Sequence, residues 1–259
     1  MVDQIKELFT YREMIVSLIH RELRGKYKAS LLGFLWTFLN PLFQLLIYTI
    51  VFSVILHSEI EDFYLYLFIG LVPWNFFSSS VVGGASCIVC QENLIKKIYF
   101  PRIVLPIACV TSAFVNMLLT SIVTFTFLIF SGRGFNFVAL LYLPLIAVIE
   151  YIFVLGVSML SSALTVFFRD LEYLLSILMM AWLYLTPIMY TLEKIPESLR
   201  NIFLINPMTS IILAYQEILY YKNTPYIGTL SSAIIDGILF LVIGVLVFER
   251  LQKSFVEEL

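Results

Sequence analysis

The sequence predicts an all-α integral membrane protein with six transmembrane helices, and two observations carry that prediction. First, 61% of the 259 residues are hydrophobic, 13% are charged and the mean hydropathy is +0.96, whereas a soluble domain carries about a quarter charged residues. Second, the apolar residues fall in long runs between short polar stretches. At about 1.5 Å per helical residue, about 20 residues cross a hydrocarbon core of about 30 Å. The length suits one ordinary domain, so the apolar excess must face lipid, and residues 1–259 read as a single transmembrane domain. A formal charge of −2 excludes a nucleic-acid binder, which needs a basic patch outside the membrane segments.

The runs give the spans in order: residues 36–56, 63–82, 103–130, 137–168, 174–190 and 226–248. The first is apolar apart from Asn40, Gln44 and a few hydroxyls. Residues 202–221 are nearly long enough for another span, but they contain Asn206, Pro207, Gln216 and Glu217 and follow Arg200 and Asn201. Broken, polar backbone at membrane depth needs protein or a cavity around it. An outer re-entrant helical hairpin in the segment 191–225 therefore fits better than a seventh span, which would move the C-terminus outside. The remaining divisions are an interfacial helix within 1–30, spans one to five within 31–190 and a tail at 249–259.

Basic residues set the orientation, because positive loops stay cytoplasmic. Twelve of the sixteen Lys and Arg residues fall in the N-terminus, in the loop with Lys96, Lys97 and Arg102, at Arg169 and in the tail; Arg133, Lys194, Arg200 and Lys222 fall on the other side. Both termini are expected in the cytoplasm. Ahead of span one, helical spacing puts Glu13, Ser17, His20, Arg21, Arg24 and Lys28 on one arc and Ile15, Leu18, Ile19 and Leu23 opposite. Such an amphipathic helix lies in the headgroup region with its basic face to the cytosol, although Glu22 falls on the apolar side. Charges at Asp3, Lys6, Glu7, Arg12 and Glu13 argue against a cleavable signal peptide. Cys87 and Cys90 form a C-x-x-C, but no second Cys or His pair at metal spacing accompanies it, so buried free thiols are expected there and at Cys109.

Four stretches in order resemble bacterial type-2 ABC exporter permeases for O-antigen, capsule and teichoic acid. They are RELRGKYKASLLGFLWTFLNPL at 21–42, ENLIKKIYFPR at 92–102, FFRDLE at 167–172 with TPIMY at 186–190, and NPMTSII at 206–212. The resemblance implies a permease subunit of the inner membrane that works as two copies with two ATPase subunits and exports a lipid-linked glycan. No G-x-x-x-x-G-K-[ST] phosphate loop occurs in the chain. ATP and Mg are therefore expected on the separate ATPase, with no cofactor in this chain and no catalytic residue.

In the same family the segment Glu92, Asn93, Leu94, Ile95, Lys96, Lys97, Ile98, Tyr99, Phe100, Pro101 and Arg102 resembles the cytoplasmic coupling helix that docks into the ATPase. Leu94, Ile95 and Ile98 offer apolar contact, Lys96, Lys97 and Arg102 offer charge, and Pro101 is expected to stop the helix. The lysines also serve topology. Phe43, Tyr48 and Phe52 on span one, with Trp182, Tyr184 and Tyr190 on span five, resemble in placement the family's pore-lining aromatics, whose faces suit sugar rings. Glu150 and Asp236 lie deepest in apolar sequence. A charge there costs roughly 2.5–3.5 kcal/mol, so each is expected to be protonated, paired or facing a wet cavity, and a structural hydrogen bond is favoured over proton coupling.

Other classes have less support. A multispan glycosyl- or acyltransferase needs convergent bases or nucleophiles, and the two histidines, His20 and His57, stand in no such motif. A secondary transporter would show inverted repeats, and no matching halves are seen. A type-2 ABC permease for a drug or other small molecule remains the alternative.

Overall fold

The computed structural model describes residues 9–25, 32–55 and 57–259, and every regular element among them is a helix. Asp3, Lys6, Glu7, Lys26, Lys28 and Leu56, used above, lie outside the described residues.

Helix α1 (Arg12–Gly25) exposes Glu13, Ser17, His20, Arg21 and Arg24 and buries Leu18, with Ile15 and Ile19 half-buried against the same cluster. Its apolar stripe thus packs on protein, with the predicted polar arc outward. Span one, Gly33–Ile55, consists of α2 (Trp36–Thr49) continued by a wider helical turn over Ile50–Ile55. Then come α3 (Phe63–Ser86), the short α4 (Glu92–Lys97) and α5 (Val104–Phe130).

Span four is broken into α6 (Phe137–Leu140) and α7 (Leu143–Phe167). Asn136 caps the first piece by accepting from the Val138 and Ala139 amides at 3.0 and 3.4 Å. Pro144 accounts for the break, because it has no N–H to give the Leu140 carbonyl and its ring collides with that group.

Span five departs from expectation. The predicted run 174–190 holds α8 (Leu171–Tyr184), which begins earlier and stops six residues sooner. Fourteen residues reach only about 21 Å, short of the hydrocarbon thickness. Pro187 explains the stop, because it disfavours helical backbone at Thr186 and leaves an acceptor without a donor. After a turn, α9 (Glu197–Ile205) and α10 (Pro207–Leu219) meet at a 96° bend. The chain ends in α11 (Ile227–Leu251) and α12 (Phe255–Glu258). Among the described residues five helical segments are long and apolar enough to cross a bilayer, or six if the bent pair counts as one span.

The core is built on α3, which packs against α2, α5, α7, α8 and α10. In lipid, close approach and interhelical hydrogen bonds replace the hydrophobic drive, and this interface uses both. A Cβ on Gly84 would overlap the Ser158 hydroxyl of α7, while Ser158 and Ser161 donate to the Ser80 and Val81 carbonyls, each at 3.2 Å. Along the α7–α11 seam Gly156 meets Gly244 so closely that a Cβ on either would overlap the other helix's backbone.

The two ends of the bundle differ. At the α1 end, Leu18, Ile95, Phe100, Val104, Phe248 and Phe255 form one apolar cluster. At the other end polar groups stitch the loops together. Arg133 pairs with Asp62 at 2.7 Å and with Glu61 at 3.3 Å and lies 4.6 Å over the Tyr220 ring. Burial opposes the Arg133 charge, but the hydrogen bond to Asp62 and the nearby Tyr220 hold its pKa above the usual value. Lys222 donates to the Arg133 carbonyl, and Lys194 pairs with Glu59 at 3.3 Å.

Candidate functional site

A cavity of about 890 Å³ is framed by α2, α3, α5 and α8. Its lining mixes rings with amides and hydroxyls: Trp36, Tyr48 and Trp74 beside Asn40, Gln44, Asn75 and Ser79. Asn75 donates to Gln44 across the α2–α3 gap at 3.0 Å, and Thr120 donates to the Thr37 carbonyl at 3.4 Å. Polar side chains in apolar spans are costly unless they face a wet space or each other, and here they converge on one open hollow. The surface offers exchangeable hydrogen bonds and ring faces, with no ionisable residue other than Tyr48 among its lining.

Of the six aromatics expected along a path, only Tyr48 lines this cavity. Phe43 is exposed on α2 but is not among the lining residues, and Phe52 stacks on Phe63 with centroids 6.0 Å apart. Trp182 packs within the protein, its ring edge-on to Phe77 at 5.4 Å and its indole N–H donating to Asn206 at 2.9 Å. Tyr184 is exposed, and Tyr190 donates to the Tyr184 carbonyl at 2.5 Å. Asn206 is the hub of that region. Besides Trp182 it caps α10 at the Met208 amide (3.0 Å) and donates to the Leu185 carbonyl and the Thr186 hydroxyl at 3.2 and 3.0 Å. Two proline breaks, Thr186–Pro187 and Asn206–Pro207, are thereby tied together.

Gln44, Asn75 and Asn116 also line the cavity, although they were not among the residues expected along a path. Asn40 and Gln44 stood out as polar interruptions of span one, and the same signal marked Asn75 and Asn116 in spans two and three. Attention to aromatics alone passed over them.

The segment 92–102 divides its residues between two uses. Ile95 and Phe100 are buried in the chain's own cluster and Leu94 packs against it, so the apolar contact expected from Leu94 and Ile95 is made internally. Arg102 donates to the Gln252 carbonyl, fastening the segment to the C-terminal region. Lys96 pairs with Glu92 at 2.7 Å, and that hydrogen bond, with the Lys96 charge, holds the Glu92 carboxyl below its usual pKa. Asn93, Lys97, Ile98 and Tyr99 remain exposed. Helix α4 ends at Lys97 and Ile98 is already extended, so the stop precedes Pro101. The proline's restriction on Phe100 and the burial of that ring account for the extended approach. Ile95 to Phe100 and Arg102, together with Val256, line a groove of about 250 Å³.

Glu150 is fully buried and accepts from the Tyr215 hydroxyl at 2.8 Å, the structural hydrogen bond expected for it; Asp236 is half-buried on α11. Cys87 and Cys109 are buried free thiols, whereas Cys90 is exposed. Among the described residues no group of three His, Cys, Asp or Glu side chains is arranged to hold a metal.

Residues 13–220 match the family model described as ABC-2 type transporter. The chain is 35% identical over 261 residues to an O-antigen export system permease protein RfbA of Myxococcus xanthus, covering all of both chains. It is 34% identical over 245 residues to the protein of that name from Klebsiella pneumoniae, covering 95% of this chain and 94% of the relative. Similarity extends to the polysialic acid transport protein KpsM of Escherichia coli at 26% over 204 residues, 76% of this chain and 78% of the relative.

Proposed function

We propose, from the premise that this chain belongs to the ABC-2 type transporter family, that it is the transmembrane permease subunit of an exporter moving a lipid-linked, O-antigen-like polysaccharide across the bacterial inner membrane. The observation that carries the proposal is the full-length 35% identity to an O-antigen export permease, which leaves no segment of the chain unaccounted for. The open cavity supports it. A long hydroxyl-rich polymer must pass without being held tightly, and amides, hydroxyls and ring faces give weak contacts that one sugar hands to the next. A deep charged site would trap it.

In this reading two copies face each other and two separate ATPase subunits supply the energy, because the chain lacks a phosphate loop. The exposed Lys97, Ile98 and Tyr99, beside the groove closed by Val256, meet the ATPase. The α1 end is cytoplasmic, in keeping with the basic-residue split. The bent pair α9–α10 then enters and leaves from the outer side as a re-entrant hairpin, held by Asn206, while α8 and the turn that follows it complete the fifth crossing, so that both termini are inside.

Deletion of the gene should abolish surface polysaccharide, and the intact gene should restore it. Persistence of surface polysaccharide without the chain would reject the function. Topology is tested with native thiols removed: a cysteine at Ser254 should label only from the cytoplasm and one at Glu197 only from outside. Outside labelling at 254 would make the bent pair a true span.

A further inference from the structure

At the end opposite α1, a second hollow of about 370 Å³ lies between α10, the loop leading to α11 and the turn after α8. This volume falls within the range of about 300–1,000 Å³ usual for small-ligand sites. We propose that it is a saccharide subsite selective for neutral or N-acetylated sugar units over acidic ones. The inference rests on the reading of the chain as a glycan permease and adds a second, outer contact point with its own specificity.

Its chemistry is that of sugar recognition. Tyr221 and Tyr226 are 49% and 71% exposed and present ring faces on which the C–H side of a pyranose can lie. Glu193 and Glu217 supply carboxylate acceptors for hydroxyl groups, and Asn223 supplies an amide. One Glu217 oxygen accepts from the Tyr226 amide at 2.9 Å, which ties the carboxylate to the backbone that carries the ring.

Gln216 provides an independent sign. It is only 1% exposed, its amide nitrogen donates to the Pro187 carbonyl at 3.1 Å, and its side-chain oxygen has no protein partner. Buried polar atoms are nearly always hydrogen-bonded, and this one belongs to a residue lining the hollow. The oxygen is shielded from solvent, so a sugar hydroxyl or acetamido N–H supplies the donor it lacks once the side chain turns toward the hollow.

The lining also decides against acidic sugars. It contains two carboxylates and no Lys, Arg or His. The nearby cations are engaged elsewhere, Lys222 with the Arg133 carbonyl and Lys194 with Glu59. A uronic or sialic acid would set like charges together without compensation.

The test uses the permease–ATPase complex in lipid nanodiscs, titrated with an N-acetylhexosamine trimer and a uronic acid trimer by saturation-transfer NMR. The neutral trimer should bind about tenfold more tightly than the acidic one, and Tyr226→Ala and, separately, the exposed Glu193→Gln should each weaken it by about tenfold. Equal binding of the two trimers, binding of neither, or neutral binding unchanged in both variants would overturn the subsite. The deletion experiment separates this from the function itself. If surface polysaccharide depends on the chain while the complex binds neither trimer, the permease reading stands and the subsite alone is wrong.

Discussion

Spans one and two are neighbours of nearly equal length, each with a proline inside its helix, yet 6% of span one's apolar window is buried against 78% of span two's. The more exposed of the two is also the more apolar, with a mean hydropathy of 1.9 against 1.5. A helix that must meet five others in lipid gains from glycines and serines that let backbones approach, whereas one that faces acyl chains or another protein copy gains from leucine and isoleucine. Burial and hydropathy therefore run in opposite directions here. Span two supports the bundle, and span one is one wall of an open polar cavity.

Breaking the buried side should have the largest effect. Gly156→Leu or Gly244→Leu places a side chain into the facing backbone of the α7–α11 seam, so no monodisperse protein should be recovered by size-exclusion chromatography. Normal recovery of both would mean that the seam can open. Trp182→Ala comes next, because it removes both the Phe77 contact and the Asn206 hydrogen bond. A loss of about 3–5 kcal/mol is expected, and export should fall only in step with the amount of complex in the membrane.

A smaller loss separates hydrogen bonding from packing. Tyr215→Phe leaves the buried Glu150 carboxyl without its donor, at about 1–3 kcal/mol. The Tm in detergent should drop, and adding Glu150→Leu should recover part of it because no buried polar group is then left unpaired. A double variant melting below the single one would show that Glu150 has another partner. On the open side the stability effect should be the smallest, within about 1 kcal/mol: Gln44→Leu or Asn75→Leu removes one interhelical hydrogen bond. Export per assembled complex should nevertheless fall several-fold, as it should for Tyr48→Ala. Unchanged export with unchanged complex would remove these residues from the path.

The same contrast shows what was legible in the sequence. Runs of apolar residues located spans one to four and six, and the alternation of Arg21 and Arg24 with Leu18 and Leu23 located the amphipathic α1. Hydropathy failed at span five, where residues 174–190 read as one apolar run although Pro187 ends the helix. A window average does not register a missing N–H. The choice among aromatics was limited for a different reason. Ring type says nothing about which way a ring points, so Trp182 and Tyr48 looked alike until packing put one against Phe77 and the other in the cavity. The polar interruptions Asn40 and Gln44 were the better guide, since the cost of a polar group in lipid ties it to a wet or paired environment. Ile95 could not be told from Ile98 by composition, because only the fold buries the first and exposes the second.

The most direct test of the cavity as the transport path is chemical access at Ser79, an exposed lining residue. With Cys87, Cys90 and Cys109 replaced, a cysteine at position 79 should react with a water-soluble thiol reagent, while one at Ile235, exposed on α11, should not. Modification at 79 should stop polysaccharide export without reducing the amount of complex. A position 79 closed to the reagent, or one fully modified with export unchanged, would contradict the assignment of this cavity as the route.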